Sequence, residues 1–183
     1  MHILAFNGSP SKNGSGAVLI GAILAAAKQN GHTAEVVNLY SKQIKGCLAC
    51  DKCKDSTPEC AVKDDMAAIT RKIIKADCLI ISSPVYMGQI SGVMKTFLDR
   101  WCVFFDRGFK LRHIPGKQLV TIVTSGAPAP TYKSVADYLN KWLGGFFKMK
   151  LAGSIVAGGL TSPGAVKKQA AVMKQAAAIG RAL

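Results

Sequence analysis

Five short runs of aliphatic and β-branched residues, each followed by a longer segment with helical spacing, dominate the pattern of this chain. The runs span residues 2–6, 34–39, 78–82, 119–124 and 151–157, and the helical segments span 15–30, 64–76, 91–105, 131–143 and 163–183. Parallel strands need helical crossovers, so this alternation predicts an α/β fold: a parallel sheet with helices on both faces. No internal repeat or linker is visible, and we expect one domain over residues 1–183.

Charge is distributed unevenly along the sequence. The chain carries 24 Lys or Arg against 10 Asp or Glu, and residues 107–183 hold 12 of these basic residues but a single acidic one, Asp137. Such a surface attracts phosphorylated cofactors, acidic proteins, nucleic acid or anionic lipid. The sequence shows no helix-turn-helix, aromatic RNA-binding pattern or zinc finger, so we expect no specific nucleic-acid binding.

The sequence does not predict a membrane protein or an exported one. Its longest apolar run, residues 17–27, is shorter than the ~20 residues that cross a bilayer, and a signal-peptide pattern is not seen. We therefore expect a cytoplasmic protein that does not engage membranes. Thiols in that compartment stay reduced, so the six cysteines are not paired by default.

The segment from Gly8 to Gly16 is rich in glycine and serine and ends at a predicted helix start. Free backbone N–H groups and the helix dipole favour an anion there. A Walker A loop would end in Gly-Lys followed by Ser or Thr, and the sequence contains no such triplet. The dinucleotide fingerprint G-x-G-x-x-G is also absent, because Leu19 stands where the third glycine would follow Gly14 and Gly16. The loop therefore suits one terminal phosphate, such as that of FMN. The alternative is an ordinary strand-to-helix turn capped by Ser15.

Four cysteines lie close together in residues 46–60, a segment that we call the Cys loop. They are Cys47, Cys50, Cys53 and Cys60, in the spacing C-x2-C-x2-C-x6-C. Four thiolates at compact spacing favour a [4Fe–4S] cluster, whereas structural zinc usually takes two separated C-x2-C pairs. Zinc binding and reduced structural thiols are the alternatives. We expect the other two, Cys78 and Cys102, to be packed as small hydrophobic residues.

Four ordered motifs resemble the NADPH-dependent FMN reductase group of flavodoxin-like proteins. They are Gly8-Ser9-Pro10, Asp64-Asp65-Met66, Ser83-Pro84-Val85-Tyr86-Met87-Gly88 and Lys95-Thr96-Phe97-Leu98-Asp99-Arg100, and the similarity extends over residues 1 to about 126. The resemblance implies a flavodoxin-like three-layer sandwich, in which five parallel strands lie in the order 2-1-3-4-5.

The same resemblance implies FMN as the cofactor and assigns residues to it. The FMN phosphate would be held by Ser9, Ser11, Asn13, Gly14, Ser15 and Gly16, with Lys12 supplying positive charge. The flavin ring would lie against Pro84, Val85, Tyr86, Met87 and Gly88, with Ser125 and Gly126 on its other side.

The cysteine spacing is similar to that of the iron-sulfur flavoprotein branch of this family. That resemblance implies that Cys47, Cys50, Cys53 and Cys60 hold a [4Fe–4S] cluster that exchanges electrons with FMN. An acidic electron-transfer protein such as a ferredoxin is then the expected donor, and oxygen, peroxide or a quinone the expected acceptor. The cofactors perform the redox step, so no catalytic acid or base is required, and Tyr86 is a candidate proton donor or stacking residue.

Two other functions are consistent with the same residues. A clusterless reductase would use the FMN site with NAD(P)H as donor, and a binding protein without turnover would use the basic surface alone. Relatives of this kind form dimers or tetramers. Because residues 91–105 carry more apolar side chains than one core face uses, we expect a homodimer or homotetramer with part of this segment at the interface.

Overall fold

The structure is a computed structural model that describes residues 1–55 and 59–183, and its centre is a parallel β-sheet. The strands are β1 (His2–Asn7), β2 (Thr33–Asn38), β3 (Cys78–Tyr86), β4 (Gln89–Ile90), β5 (Gln118–Thr124) and β6 (Lys150–Ala157). The five parallel strands lie in the order β2-β1-β3-β5-β6, which confirms the expected order, and the short β4 is an additional antiparallel strand beside β3. Part of the Cys loop, residues 56–58, lies outside the described residues.

Helices cover both faces of the sheet. They are α1 (Ser15–Gln29), α2 (Met66–Lys75), α3 (Gly92–Asp99), α4 (Lys133–Leu139) and α5 (Ala170–Ala182). Ile3 and Ala5 of β1 pack in the core shared with α1 and α5, while Leu4 and Phe6 pack in the core shared with α2, α3 and α4. Because both faces are buried, the strands are almost continuously apolar. A Cβ atom on Gly180 would lie 2.1 Å from the Ile23 carbonyl oxygen, so this glycine allows α5 to approach α1.

The last helix begins later than its sequence pattern indicates. Gly164 has a φ angle of +70°, in the left-handed region that a continuous right-handed helix excludes. A 3₁₀ turn follows at Ala165–Lys168, and α5 begins at Ala170. The prediction that Pro163 opens this helix is therefore wrong.

Residues 83–90 lie between the predicted strand 78–82 and the predicted helix 91–105, and they form a tight hairpin rather than an irregular loop. β3 continues to Tyr86, and Tyr86 then pairs with Gln89 of β4. Met87 and Gly88 between them both have positive φ angles, 48° and 79°, as a type I′ hairpin turn requires. The hairpin fixes the end of β3 at the carboxyl edge of the sheet.

The apolar side chains of residues 91–105 are mostly used by the core. α3 ends at Asp99 and a 3₁₀ turn, Arg100–Phe104, follows. Trp101 lies in edge-to-face contact with Phe97 and Phe104, at 5.6 Å between ring centroids in each pair, and all three side chains are fully buried. The expectation that this segment supplies surplus apolar surface is wrong for these side chains.

Exposed aromatic residues are found after α3 in the chain. α4 passes into a π-helical turn, Asn140–Phe146, and Tyr138, Trp142 and Phe146 are partly exposed there.

Within the part of the chain that the structure describes, no helix has both the length and the apolar character needed to cross a membrane.

Candidate flavin site and cysteine loop

A series of hydrogen bonds folds the loop between β1 and α1. The buried Asn7 side chain donates to Asn38 Oδ1 (3.0 Å) and accepts the backbone N–H of Ser9 (3.2 Å). Ser9 Oγ accepts the N–H of Ser11 (3.2 Å), and the Ser11 carbonyl accepts the N–H of Gly14 (3.2 Å). These contacts fix the path of the loop without using the serine hydroxyls as donors.

The start of α1 has the features of an anion site. Gly14 is the N-cap residue and provides no side-chain cap, and the first turn of the helix contains no acidic residue. The backbone N–H groups of that turn and the helix dipole therefore favour a negative group in front of the helix. Gly16 has a packing role as well, because a Cβ atom there would lie 2.7 Å from Ser82 Oγ of β3.

A cavity of about 280 Å³ lies at the carboxyl ends of the strands, where the predicted site loops meet. Eight of the predicted FMN residues line it: Ser9, Ser11, Ser15, Pro84, Val85, Tyr86, Ser125 and Gly126. Lys12 and Asn13 line a neighbouring groove together with Lys167. Met87 and Gly88 form the hairpin turn, where the Met87 side chain is fully exposed. The structure thus brings together most, but not all, of the predicted residues.

Five further lining residues were missed by the sequence analysis: Thr124 and the segment 160–163. The Gly158-Gly159 pair after β6 brings that segment into place. A Cβ atom on Gly158 would lie 2.1 Å from the Ala129 nitrogen, and the N–H of Leu160 donates to the Ser125 carbonyl at 3.0 Å. Two adjacent glycines directly after a predicted strand are the sequence signal that indicates this close packing.

Two buried serines connect the phosphate loop with the hairpin. Ser91 Oγ donates to the Gly8 carbonyl (2.7 Å), and the Ser91 N–H donates to Ser83 Oγ (2.9 Å). Ser83 Oγ in turn donates to the Pro84 carbonyl at 2.9 Å. The two sides of the cavity are therefore held in a fixed relation to each other.

The chemistry of the cavity fits FMN. No acidic residue is among the described residues that line it, and serine and threonine hydroxyls concentrate near the N-terminus of α1. Burial, and then the nearby Tyr40 hydroxyl, raise the pKa of Tyr86, so its phenol stays a hydrogen-bond donor at neutral pH. Donors for a phosphate and an apolar side for a flat ring are what a flavin site requires.

The Cys loop is anchored by a buried ion pair. Arg100 Nη1 lies 2.6 Å from Asp64 Oδ2, and the two side chains are 0% and 1% exposed. Arg100 also donates to the Lys45 carbonyl (2.7 Å), and Asp64 accepts the N–H groups of Lys45 (2.9 Å) and Met66 (3.0 Å). The two ends of the loop are thus joined through one pair of side chains.

The contacts of Asp64 also shift its pKa. Burial acts to raise it, but hydrogen bonds from Arg100 and from the backbone of Lys45 and Met66 outweigh burial and hold the pKa below its usual value. The carboxylate is therefore ionised at neutral pH.

A second arginine holds the middle of the loop. Arg112 donates to the carbonyl oxygens of Asp55 (2.6 Å) and Cys53 (2.8 Å), and also to those of Val103 (3.2 Å) and Phe105 (2.8 Å). The Cys loop and the turn after α3 are therefore fixed against each other. Nothing in the sequence pattern around Arg112 indicates this contact.

The cysteines differ in their surroundings. Cys47 and Cys50 are exposed, Cys60 is partly buried and Cys53 is buried. Burial first, and then the charges of Cys60, Cys102 and Cys47, raise the pKa of Cys53. Cys78 is packed in the core as predicted, and burial raises its pKa to about 12. Cys102 is exposed beside the loop, and the prediction that it is a packed hydrophobic residue is wrong.

The possible metal ligands of the Cys loop are its cysteine thiols. In the ranges 1–55 and 59–183, no three His, Cys, Asp or Glu side chains are placed to bind one ion together. A single zinc ion needs all its ligands at about 2.0–2.3 Å from one point, whereas the thiolates of a cubane bind different irons and lie further apart. The described cysteines supply thiol ligands of the kind that a [4Fe–4S] cluster takes, but they do not form a metal site in this structure.

Two solved structures illustrate the fold that this chain shares with known proteins. One is the NAD(P)H:quinone oxidoreductase from Methanothermobacter marburgensis, with a TM-score of 0.78, 19% identity, and coverage of 99% of this chain and 98% of that one. The other is the Trp repressor binding protein from Bacillus subtilis, with a TM-score of 0.72, 21% identity, and coverage of 98% and 99%. These similarities and the cavity at the strand ends define a flavodoxin-like protein.

Sequence comparison is more specific than the fold. The profile of the family described as NADPH-dependent FMN reductase matches residues 1–162. An iron-sulfur flavoprotein of Methanosarcina thermophila is 32% identical over 141 residues, which cover 76% of this chain and 73% of that protein. One from Archaeoglobus fulgidus is 34% identical over 126 residues, and these cover 69% of this chain but 60% of the relative. This chain belongs to the NADPH-dependent FMN reductase family of flavin-dependent oxidoreductases, in its iron-sulfur flavoprotein branch.

Proposed function

We propose that this chain is a redox protein that binds FMN in the cavity at the strand ends and a [4Fe–4S] cluster at Cys47, Cys50, Cys53 and Cys60. When bound, these groups supply the electron storage and transfer of the reaction. The observation that carries the proposal is the double anchoring of the Cys loop. Arg100 donates to the Lys45 carbonyl and pairs with Asp64, and Arg112 donates to the Cys53 carbonyl, so the segment that carries the four thiols is fixed by hydrogen bonds that do not involve sulfur.

The flavin would be held by residues from separate loops. Ser9, Ser11 and Ser15, with the N–H groups of the first turn of α1, would bind the phosphate, and Lys12 in the adjoining groove would add positive charge. The ring would lie between the Pro84–Tyr86 segment and the loop with Ser125 and Gly126. The Tyr86 phenol, partly exposed and protonated, is suited to donate a hydrogen bond at the edge of the ring.

An acidic electron-transfer protein of the ferredoxin type is the donor that we propose, and oxygen, peroxide or a quinone the acceptor. The surface at the Cys loop supports an acidic donor. Lys54 lies over the ring of Phe109 at 4.2 Å from its centroid, and this ring is 70% exposed. Among the described residues, Lys54 is the one cation at this ring and also pairs with Asp51 at 2.9 Å, so the positive charge that would attract an acidic donor comes mainly from the basic residues of 107–183.

Substitution of the cysteines tests the cluster. Anaerobically purified Cys53→Ala is expected to lose the iron, the sulfide and the broad visible absorption of the cluster while keeping FMN. Cys78→Ala, which changes a cysteine in the core outside the loop, is the matched control and should keep all three. Equal iron in the two variants would contradict the ligand assignment.

A clusterless NAD(P)H-dependent FMN or quinone reductase is the second candidate. It is favoured by the description of the family whose profile matches residues 1–162, NADPH-dependent FMN reductase. In that case NADPH would reduce bound FMN at the same rate in the unchanged chain and in Cys53→Ala. A rate that depends on a ferredoxin-type donor and on Cys53 would exclude this candidate.

Self-association and location are further parts of the proposal. We propose a homodimer or homotetramer, supported by the exposed Tyr138, Trp142 and Phe146 rather than by residues 91–105. Sedimentation showing a monomer at micromolar concentration would contradict it.

A cytoplasmic location is proposed because reduced thiols and iron-sulfur chemistry belong to a reducing compartment.

A further inference from the structure

A second cavity adjoins the proposed flavin cavity at the start of α1. Its volume is about 530 Å³, against about 280 Å³ for the flavin cavity. Its lining includes Lys12, Asn13, Ala17, Val18, Pro163 and Lys167. We call this cavity the lysine groove. The groove is far larger than one phosphate group requires, so it has room for a further part of a ligand.

The lysine groove is formed where the 3₁₀ turn Ala165–Lys168 packs against the first turn of α1. The Val166 N–H donates to Ser15 Oγ at 3.4 Å, and both residues are buried. A Cβ atom on Gly164 would lie 3.7 Å from the Asn13 carbonyl oxygen, so the two walls are in contact at this point as well. Because Ser15 also lines the flavin cavity, the same contact fixes the groove beside that cavity.

Two lysines supply the charge of the groove. Lys12 and Lys167 are exposed, and no acidic residue is among the described residues that line the groove with them. Within residues 1–55 and 59–183, six other basic side chains form ion pairs with carboxylates, but these two do not. Lysine binds a phosphate as a mobile point charge, so the groove is suited to a phosphorylated ligand.

The rest of the lining is uncharged and partly apolar. Ala17 and Val18 of α1 are partly buried, and Pro163 is exposed opposite to them in the chain segment after β6. Small aliphatic surfaces of this kind contact the face of a planar base, and the Asn13 carboxamide is able to donate and accept hydrogen bonds at its edge. A phosphate joined to a nucleoside meets both requirements of the groove.

The position of the groove indicates how such a ligand would reach it. Pro163 lines both cavities, and Lys12 and Asn13 lie between Ser11 and Gly14 in the loop that is proposed to hold the flavin phosphate. A ligand with its first phosphate at the start of α1 would therefore have its next phosphate at the lysine groove. This step rests on the proposed function, because it takes the flavin phosphate to lie at α1.

We propose that the lysine groove binds the adenosine phosphate half of a dinucleotide, with Lys12 and Lys167 at the phosphate. Two sources supply this chemistry. FAD would occupy both cavities in place of FMN. A nicotinamide dinucleotide would instead place its adenosine half in the groove while FMN stays in the flavin cavity. In both cases the bound ligand extends beyond the residues assigned to FMN.

Titration calorimetry of the flavin-free full chain tests the FAD source. Lys167→Gln should weaken the binding of FAD about threefold, as the loss of an exposed ion pair allows, and leave FMN binding unchanged, because FMN has no phosphate in the groove. Lys168→Gln is the matched control, since it removes the same charge from the same 3₁₀ turn at a residue that does not line the groove. Equal losses of FAD affinity in the two variants, or equal losses of FMN and FAD affinity in Lys167→Gln, would overturn the proposal.

Titration of the FMN-loaded chain with NADP⁺ tests the nicotinamide source. Here too Lys167→Gln should weaken binding about threefold and Lys168→Gln should not. A dependence on Lys167 in one of the two titrations supports the proposal and identifies the source, and no dependence in either overturns it.

AMP, titrated into the flavin-free chain, separates the groove from the flavin site. If AMP binding depends on Lys167 while FMN does not bind at all, the proposed flavin site fails and the groove stands. If FMN binds but AMP and both dinucleotides bind equally well to the unchanged chain and to Lys167→Gln, the flavin site stands and the groove fails.

Discussion

Replacing Asp64 with asparagine tests whether the buried ion pair anchors the Cys loop. The change keeps the size of the side chain and one carbonyl oxygen but removes the negative charge. Arg100 would then remain fully buried without a counter-ion, and its Nε already lacks a hydrogen-bond partner among the described residues. The variant should therefore lose stability through an uncompensated charge rather than through a cavity.

The expected loss in the free energy of unfolding follows from the burial of the Arg100–Asp64 pair. Breaking a buried pair by removing one partner costs about 3–5 kcal/mol, because one charge stays out of water. The remaining carbonyl of Asp64→Asn and the Lys45 carbonyl still accept from Arg100, so we expect the lower end, ~3 kcal/mol. With a urea m-value of about 2 kcal/mol/M, the unfolding midpoint falls by about 1.5 M.

Urea denaturation followed by circular dichroism measures this change. The control is Asp137→Asn, which breaks a pair with Lys133 whose side chains are 57% and 71% exposed. An exposed pair contributes about 0–1 kcal/mol, so this control should shift the midpoint little. An equal, small shift in both variants would refute the view that the pair anchors the loop.

The pH dependence of the free energy of unfolding gives an independent check, because the direction of the change with pH follows from the shifted pKa of Asp64. The pKa of Asp64 is lower in the folded state, so its contribution to stability is present above the unfolded pKa, about 3.9, and is lost as pH falls through the folded pKa. The stability difference between the unchanged chain and Asp64→Asn should therefore be constant near neutral pH. It should narrow below about pH 4.

Three further changes test the flavin site. Ser11→Asp places a carboxylate where the phosphate is proposed to bind. In fluorescence titration it should weaken the binding of FMN at least about tenfold and leave the binding of riboflavin unchanged, because only FMN carries a phosphate that the carboxylate repels. An equal loss of affinity for both flavins would refute phosphate binding at this place. Gly158→Ala should weaken the binding of both FMN and riboflavin, because its Cβ atom would lie 2.1 Å from the Ala129 nitrogen and displace the segment 160–163. Unchanged affinities for both flavins would show that this segment is not needed for binding. Ser91→Ala removes the hydroxyl that donates to the Gly8 carbonyl at 2.7 Å. It should lower the free energy of unfolding, measured by urea denaturation, by about 1–3 kcal/mol. A change within experimental error would show that this hydrogen bond does not hold the two loops together.

The sheet and its order could be predicted because each strand is a short apolar run and each crossover has helical periodicity. The elements that differ are those set by backbone angles or tertiary contact. Met87 adopts a left-handed conformation that its residue type does not indicate, so the hairpin was missed. Gly164 delays α5 for the same reason, since one glycine in a sequence can serve many conformations.

The candidate site was predictable where its residues follow strands directly. Ser9, Tyr86 and Ser125 all lie at carboxyl ends of parallel strands, and the fold brings those ends together. Arg112 could not be found in this way. Its contact with the Cys loop joins segments that are remote in sequence, and no local spacing encodes it.

Quantification of iron, sulfide and flavin in anaerobically purified protein tests the central claim most directly. A chain that passes electrons between a cubane cluster and FMN should contain about four iron and about four sulfide atoms together with one FMN. One FMN with no iron and no sulfide would contradict the account and leave the clusterless reductase in its place.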